Sequence, residues 1–122
     1  MISLSSSKTI LLSIVLLALL LITSGLGYYL FFNQNNLATQ FDLNLGKSIY
    51  NNRCIACHLP GQLGAPRLGH AEEWAPRIGK GLDTLFHNSL QGFNAMPARG
   101  GDAHLSDEEV KSAVAFMVNE SS

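Results

Sequence analysis

The sequence has only two cysteines, three positions apart. That excludes a disulfide scaffold, which needs several half-cystines spread along a short chain. No charged residue lies between Lys8 and Asp42. The formal net charge is -1, so the composition gives no electrostatic reason to expect nucleic acid as a partner. No segment alternates apolar and polar residues over a strand's length, which leaves an all-α fold as the expectation. There is no internal repeat, and 122 residues suffice for one small domain.

What is present is unevenly placed. Ile10 to Phe32 is a run of 23 uncharged residues dominated by Leu and Ile. At about 1.5 Å rise per residue, a helix of that length crosses a hydrocarbon layer of about 30 Å with some tilt. The sequence therefore predicts a single-pass N-terminal membrane anchor over residues 1–32. Lys8 and the chain amine precede the run, which by the positive-inside rule leaves the N-terminus cytoplasmic and the rest outside. Tyr28, Tyr29, Phe31 and Phe32 fall at the far end, where aromatic rings favour the interface. The competing reading is a cleaved signal peptide, whose apolar stretch is about 7–15 residues long. Thr23-Ser24-Gly25 is a poor cleavage site and the apolar run resumes after it, which favours an anchor. Both readings deliver the remainder to the same compartment.

Asn33 to Gln40 is polar and aperiodic, and residues 33–41 are expected to be a linker of at most roughly 30 Å when extended. The remaining domain, 42–122, is near the lower size limit for a self-sufficient core. Eight of the eleven glycines lie between Gly61 and Gly101, so the middle of the domain is loop-rich. Something other than side chains must help fill its interior.

The last helix is the clearest element. Ser106 is a good N-cap, Glu109 completes a capping box, and Leu105 and Val110 are placed for a hydrophobic staple. Asp107, Glu108 and Glu109 suit the positive end of the helix dipole. Val110, Ala113, Val114 and Met117 recur at helical spacing, with Phe116 beside them. A second helix is expected from Asp42 to about Cys54, carrying Leu45, Ile49 and Tyr50. Leu82, Leu85 and Phe86 predict a third, ending near Gly92. A short one from Glu72 to Ile78 is weakened by Pro76, which lacks a donor.

The string Cys54-Ile55-Ala56-Cys57-His58 carries chemistry. Two thiols separated by two residues can add across the two vinyl groups of haem, and the histidine directly after the second can reach the iron. This spacing is that of c-type haem attachment. A thioredoxin-like redox pair would need a βαβ context, and a structural zinc site would need four ligands. Only His70, His87 and His104 remain to supply them, scattered along the chain. An inert, reduced cysteine pair is the remaining alternative.

If His58 binds one iron face, the other is open. Met96 is the best-placed candidate. It lies 39 residues after Cys57 in a glycine-rich segment, and Pro97 restricts its backbone. Met117, on the helical stripe, reads instead as core filler. His70, His87 and His104 stay open as other ligands. Methionine–histidine ligation raises a haem's reduction potential, and a six-coordinate iron leaves no site for substrate. Both point to electron transfer.

From about Leu43 to Val118 the chain resembles the class I bacterial cytochromes c, and within them the cytochrome c₅ group. Gly46 and Tyr50 match first-helix positions that pack against an aromatic of the last helix, here Phe116. Gly64-Ala65-Pro66-Arg67-Leu68-Gly69 resembles the loop whose proline carbonyl accepts a hydrogen bond from the axial histidine, so the resemblance implies that Pro66 orients His58. Trp74 and Arg77 match a W-x-x-R pattern, implying Trp74 in the haem pocket and Arg77 near a propionate. Asn94 to Gly101 resembles the axial methionine loop, and Leu105 to Val110 the start of the last helix. Several members carry another cysteine pair just before that helix. Gly101-Asp102-Ala103-His104 has none, so no second staple and a more mobile loop are expected.

The resemblance implies a small domain wrapped round one covalent haem c, and an electron carrier rather than an enzyme. With the anchor over residues 10–32, the expected setting is the bacterial inner membrane with the haem domain periplasmic. The expected partners are a quinol-oxidising complex and a terminal oxidase or reductase. A fixed haem subunit of a respiratory complex and a haem-based gas or peroxide sensor are the alternatives.

Overall fold

The computed structural model describes residues 4–34 and 37–122, with side chains described over 9–27 and 37–122. The chain divides into two compact units, Met1–Asn36 and Leu37–Ser122. The first contains one long helix, α1 (Leu4–Gln34). Its stretch Thr9–Gly27 is long and apolar enough to cross a membrane, and no part of it is buried within the protein. The rings expected at the interface, Tyr28, Tyr29, Phe31 and Phe32, lie outside the residues whose side chains are described.

The second unit is helical throughout, with no strand among the described residues. Leu37 is buried in the core and opens a short helix, α2 (Leu37–Gln40). The end of the polar stretch is therefore folded. A lone leucine gives no periodicity by which the sequence could reveal that.

Asp42 caps the next helix, its carboxylate accepting from Asn44 N and Leu45 N at 3.0 Å each. The single helix expected up to Cys54 is broken into three parts. α3 (Leu43–Ile49) passes into a π-helical turn, Tyr50–Cys54, and then α4 (Ile55–His58). In the π turn Ile55 N–H reaches back five residues to Tyr50 O. Such turns arise where an extra residue is accommodated, often beside a functional site. The buried face of this stretch is the one the resemblance implies, and it leaves out Leu45. Leu45 is exposed, while Gly46 and Tyr50 face inward.

α5 (Ala71–Ile78) forms despite Pro76. Its first turn closes before the proline, with Glu73 N and Trp74 N bonding to His70 O, and Trp74 Nε1 donates to Arg67 O in the preceding loop at 2.8 Å. α6 (Leu82–Gln91) ends at Gly92, as the sequence suggests. α7 (Asp107–Glu120) carries the capping box in full: Ser106 N donates to Glu109 Oε2 at 2.8 Å and Glu109 N to Ser106 Oγ at 3.3 Å.

α7 is the central strut. Val110 and Ser112 through Val118 are all buried, a wider face than the single stripe read from the sequence, because helices pack on more than one of its sides. α3 crosses it at Gly46. A Cβ there would sit 2.1 Å from Ser112 O, so the crossing requires glycine. Tyr50 packs against Phe116 with ring centroids 5.7 Å apart, and Phe41 against Phe86 at 5.2 Å. Each pair adds about 1 kcal/mol beyond area burial.

Candidate haem site

α4 begins right after the π turn, and its four residues include Cys57 and His58. Cys54, Cys57 and His58 all line one cavity of about 430 Å³. Cys54 is half-buried. Burial, reinforced by the neighbouring Cys57, pushes its thiol up to about 11. Cys57 is exposed, which places it at the cavity's opening.

His58 is buried, and its Nδ1 lies 2.8 Å from Pro66 O. A carbonyl has no proton, so Nδ1–H is the donor and Nε2 keeps its lone pair. Burial pulls the imidazole below its usual pKa, and the Arg77 charge adds to this against the Pro66 bond. A neutral ring with a fixed tautomer is what a metal ligand requires.

The Pro66 carbonyl is held by its neighbours. Leu68 N bonds back to His58 O at 2.9 Å. Arg67 N donates to Glu73 Oε2 at 2.7 Å, and its guanidinium pairs with the same carboxylate. Arg67 O accepts from Trp74 Nε1. Further along, Gly69 N donates to the buried Ser121 Oγ at 2.9 Å, tying the loop to the chain's end. The Trp74 ring stacks near His58 at 6.2 Å and lines the cavity, as does Arg77.

Met96 reaches the same cavity from the loop between α6 and α7. Phe93 N bonds to Met96 O at 3.0 Å and Met96 N to Phe93 O at 2.9 Å, closing a tight turn. Asn94 supplies the left-handed residue at φ 53°. Gly92, at φ 88°, packs so closely that a Cβ would meet Met96 O and Ala98 N at 3.1 Å. His70, His87 and His104 do not line the cavity. Met117 does, from within the core, so two methionines reach it.

The cavity suits a haem on two grounds. Its inner lining is largely apolar, with Leu85, Val110, Ala113 and Val114, as a porphyrin body requires. Four cations, Arg53, Arg77, Lys80 and Arg99, also line it, and among the described residues no carboxylate does. That balance fits a group that is apolar with two acidic arms.

The family model described as "Cytochrome C oxidase, cbb3-type, subunit III" matches residues 41–117. The chain belongs to the class I c-type cytochromes. It is 43% identical over 88 residues to cytochrome c-555 of Chlorobaculum tepidum, covering 69% of this chain and 82% of that one. It is 42% identical over 74 residues to cytochrome c5 of Azotobacter vinelandii, covering 59% and 89%. A solved structure described as "Crystal structure of electron transfer complex of nitrite reductase with cytochrome c" superposes with a TM-score of 0.61 at 37% identity. It covers 64% of this chain and 95% of that one. As a class I cytochrome c of the c₅ kind, the protein is a mono-haem electron carrier with one covalently bound haem c and its iron.

Arg53, Lys80 and Arg99 of this cytochrome were not visible as site residues in the sequence. Rim cations obey no spacing rule. The one available signal is that Arg53 directly precedes Cys54 and Arg99 lies three residues after Met96.

Proposed function

We propose that this cytochrome holds its haem through thioether links to Cys54 and Cys57, with His58 and Met96 as axial ligands. In this reading it is tethered to the bacterial inner membrane by residues 10–32, with its haem domain in the periplasm. It would pass single electrons from a quinol-oxidising complex to a terminal oxidase or reductase. One observation carries the ligand assignment: the attachment string and the methionine loop, 39 residues apart in sequence, line one apolar cavity.

The haem supplies a one-electron couple between ferric and ferrous iron. The chain's residues set its surroundings. Pro66 fixes the His58 ring through Nδ1–H and leaves Nε2 for the metal. The Met96 thioether, a soft ligand, favours the ferrous state and so raises the potential. With His58 and Met96 both holding the iron, no site on it would be left for a substrate. Leu85, Val114 and their neighbours exclude water. Trp74 walls the pocket, and Arg77 would neutralise a propionate. Electrons would enter and leave on the Cys57 side, where Leu63 is 80% exposed.

A membrane tether makes encounters with membrane partners effectively local. The family model's own description, a subunit of an oxidase, favours a second reading in which the same domain is a fixed wire within a complex. Co-purification with stoichiometric partners in mild detergent would separate the two.

Met96→Ala tests the ligand set. The ferric far-red band of methionine ligation should vanish and the reduction potential should fall, while Met117→Leu should keep the band. Loss of the band in Met117→Leu and its survival in Met96→Ala would assign the sulfur to Met117.

A further inference from the structure

The loop that carries Met96 is tied down unevenly. Its first half is the tight Phe93–Met96 turn. Its second half, the 3₁₀ turn Ala98–Gly101 and the residues up to the Ser106 cap, makes only local backbone bonds. Gly100 N, Asp102 N and Leu105 N each reach back three residues, at 3.2 Å. Arg99, Gly100 and Gly101 all have positive φ, and for Arg99, at 54°, that conformation is strained.

Two side-chain ties close this half. The Arg99 guanidinium donates to Leu105 O at 2.7 Å and Asp107 Oδ1 at 2.6 Å, which joins the loop to α7. The other tie reaches across to the attachment segment. Arg53 Nε lies 2.8 Å from Asp102 Oδ2. Asp102 also accepts from His104 N at 3.0 Å through Oδ1, and its side chain is only 17% exposed. Arg53 directly precedes Cys54. Among the described hydrogen bonds and ion pairs, this is the one that joins the Met96 loop to the segment bearing the cysteines.

We propose that Arg53 and Asp102 are a positioning pair that latches the Met96 loop to the cysteine segment and so sets how often Met96 gives up its place on the metal. The inference rests on Met96 being the axial ligand. The loop is then a two-state element, closed with the sulfur bound or open with it released. A ligand that binds only the open state has an apparent affinity proportional to the open fraction. Arg53 is 53% exposed, so the pair is partly screened and its contribution is modest.

The test uses the full-length haem-loaded protein in detergent, with imidazole as the competing ligand. Asp102→Asn keeps an acceptor for His104 N and removes the charge and the oxygen that face Arg53. Imidazole should bind the ferric form of Asp102→Asn about two- to fivefold more tightly at low salt, the range expected for a partly exposed ion pair. Arg53→Gln should show the same gain, and the double variant no more than either single. Raising salt should move the wild type towards the variants. The far-red band should remain in the wild type and in Asp102→Asn before imidazole is added. Unchanged affinity in both singles, or gains that add in the double, would overturn the latch while leaving Met96 as ligand. A wild-type ferric spectrum without that band would instead overturn the ligand assignment and the latch with it.

Discussion

Gly46 shows how much of this fold depends on single atoms. Its missing side chain lets α3 approach α7 until the space for a Cβ is already taken by Ser112 O and Phe116 Cβ. Gly46→Ala should therefore destabilise the protein by about 3 kcal/mol, at the upper end for an added methyl in a packed contact. Denaturant unfolding of the haem-loaded protein measures this, and a loss under 0.5 kcal/mol would mean that the crossing has slack. At this scale the sequence is informative where chemistry fixes spacing. Cys54, Cys57 and His58 stand out because their intervals are those that two vinyl groups and an iron would require. Met96 stands out because a methionine beside a proline among glycines has no packing role to explain it. Leu45 misleads for the opposite reason. Apolar spacing marks a candidate inward face, but the true one is chosen by the partner helix, which here required Gly46.

At the scale of elements, the loop between His58 and α5 does the orienting. Glu73 sits in α5 and receives both the backbone N–H and the guanidinium of Arg67, the residue after Pro66. Those bonds hold its carboxyl below the usual 4.5. Hydrogen bonds from the His104 and Ser106 backbones act likewise on Asp102 and Glu109. A carboxyl with a depressed folded pKa stabilises above its unfolded value, and that contribution disappears as pH falls through the folded one. Stability should thus decline as pH drops below about 4.5. In Glu73→Gln the deficit relative to wild type should be largest at neutral pH and shrink towards pH 3, as followed by denaturation at a series of pH values. A constant deficit would mean that Glu73 acts through packing rather than charge. α7 was legible because its cap, charges and stripe agree. α5 was half-hidden, since Pro76 argues against a helix and the bonds that link the Glu73 and Trp74 side chains to Arg67 in the preceding loop follow no helical spacing. The π turn left no mark in the sequence, because hydrogen-bond register is invisible to side-chain periodicity. The loop without a second cysteine pair, expected to be mobile, is held instead by Arg53–Asp102 and Arg99–Asp107, contacts that no local pattern announces.

At the scale of the whole molecule, the long apolar helix and the helical domain form separate compact units. Spectroscopic properties should therefore belong to the second alone. Residues 37–122, exported and matured without the first unit, should give the same ferric and ferrous spectra and the same potential as the full chain, while losing retention in the membrane fraction. A changed spectrum would mean that the first unit contributes to the haem environment. The domain in turn should need its cofactor, since residues of α4, α5, α6 and α7 all line the cavity. The central claim is that one haem is bound covalently through Cys54 and Cys57. Its most direct measurement is the mass and pyridine haemochrome spectrum of the protein produced in a host competent in cytochrome maturation. The account predicts one haem per chain, a c-type spectrum, and colour that survives acid–acetone extraction but is lost in a Cys54→Ala, Cys57→Ala double variant. A colourless wild-type protein, or a haem that extracts freely from it, would contradict the account.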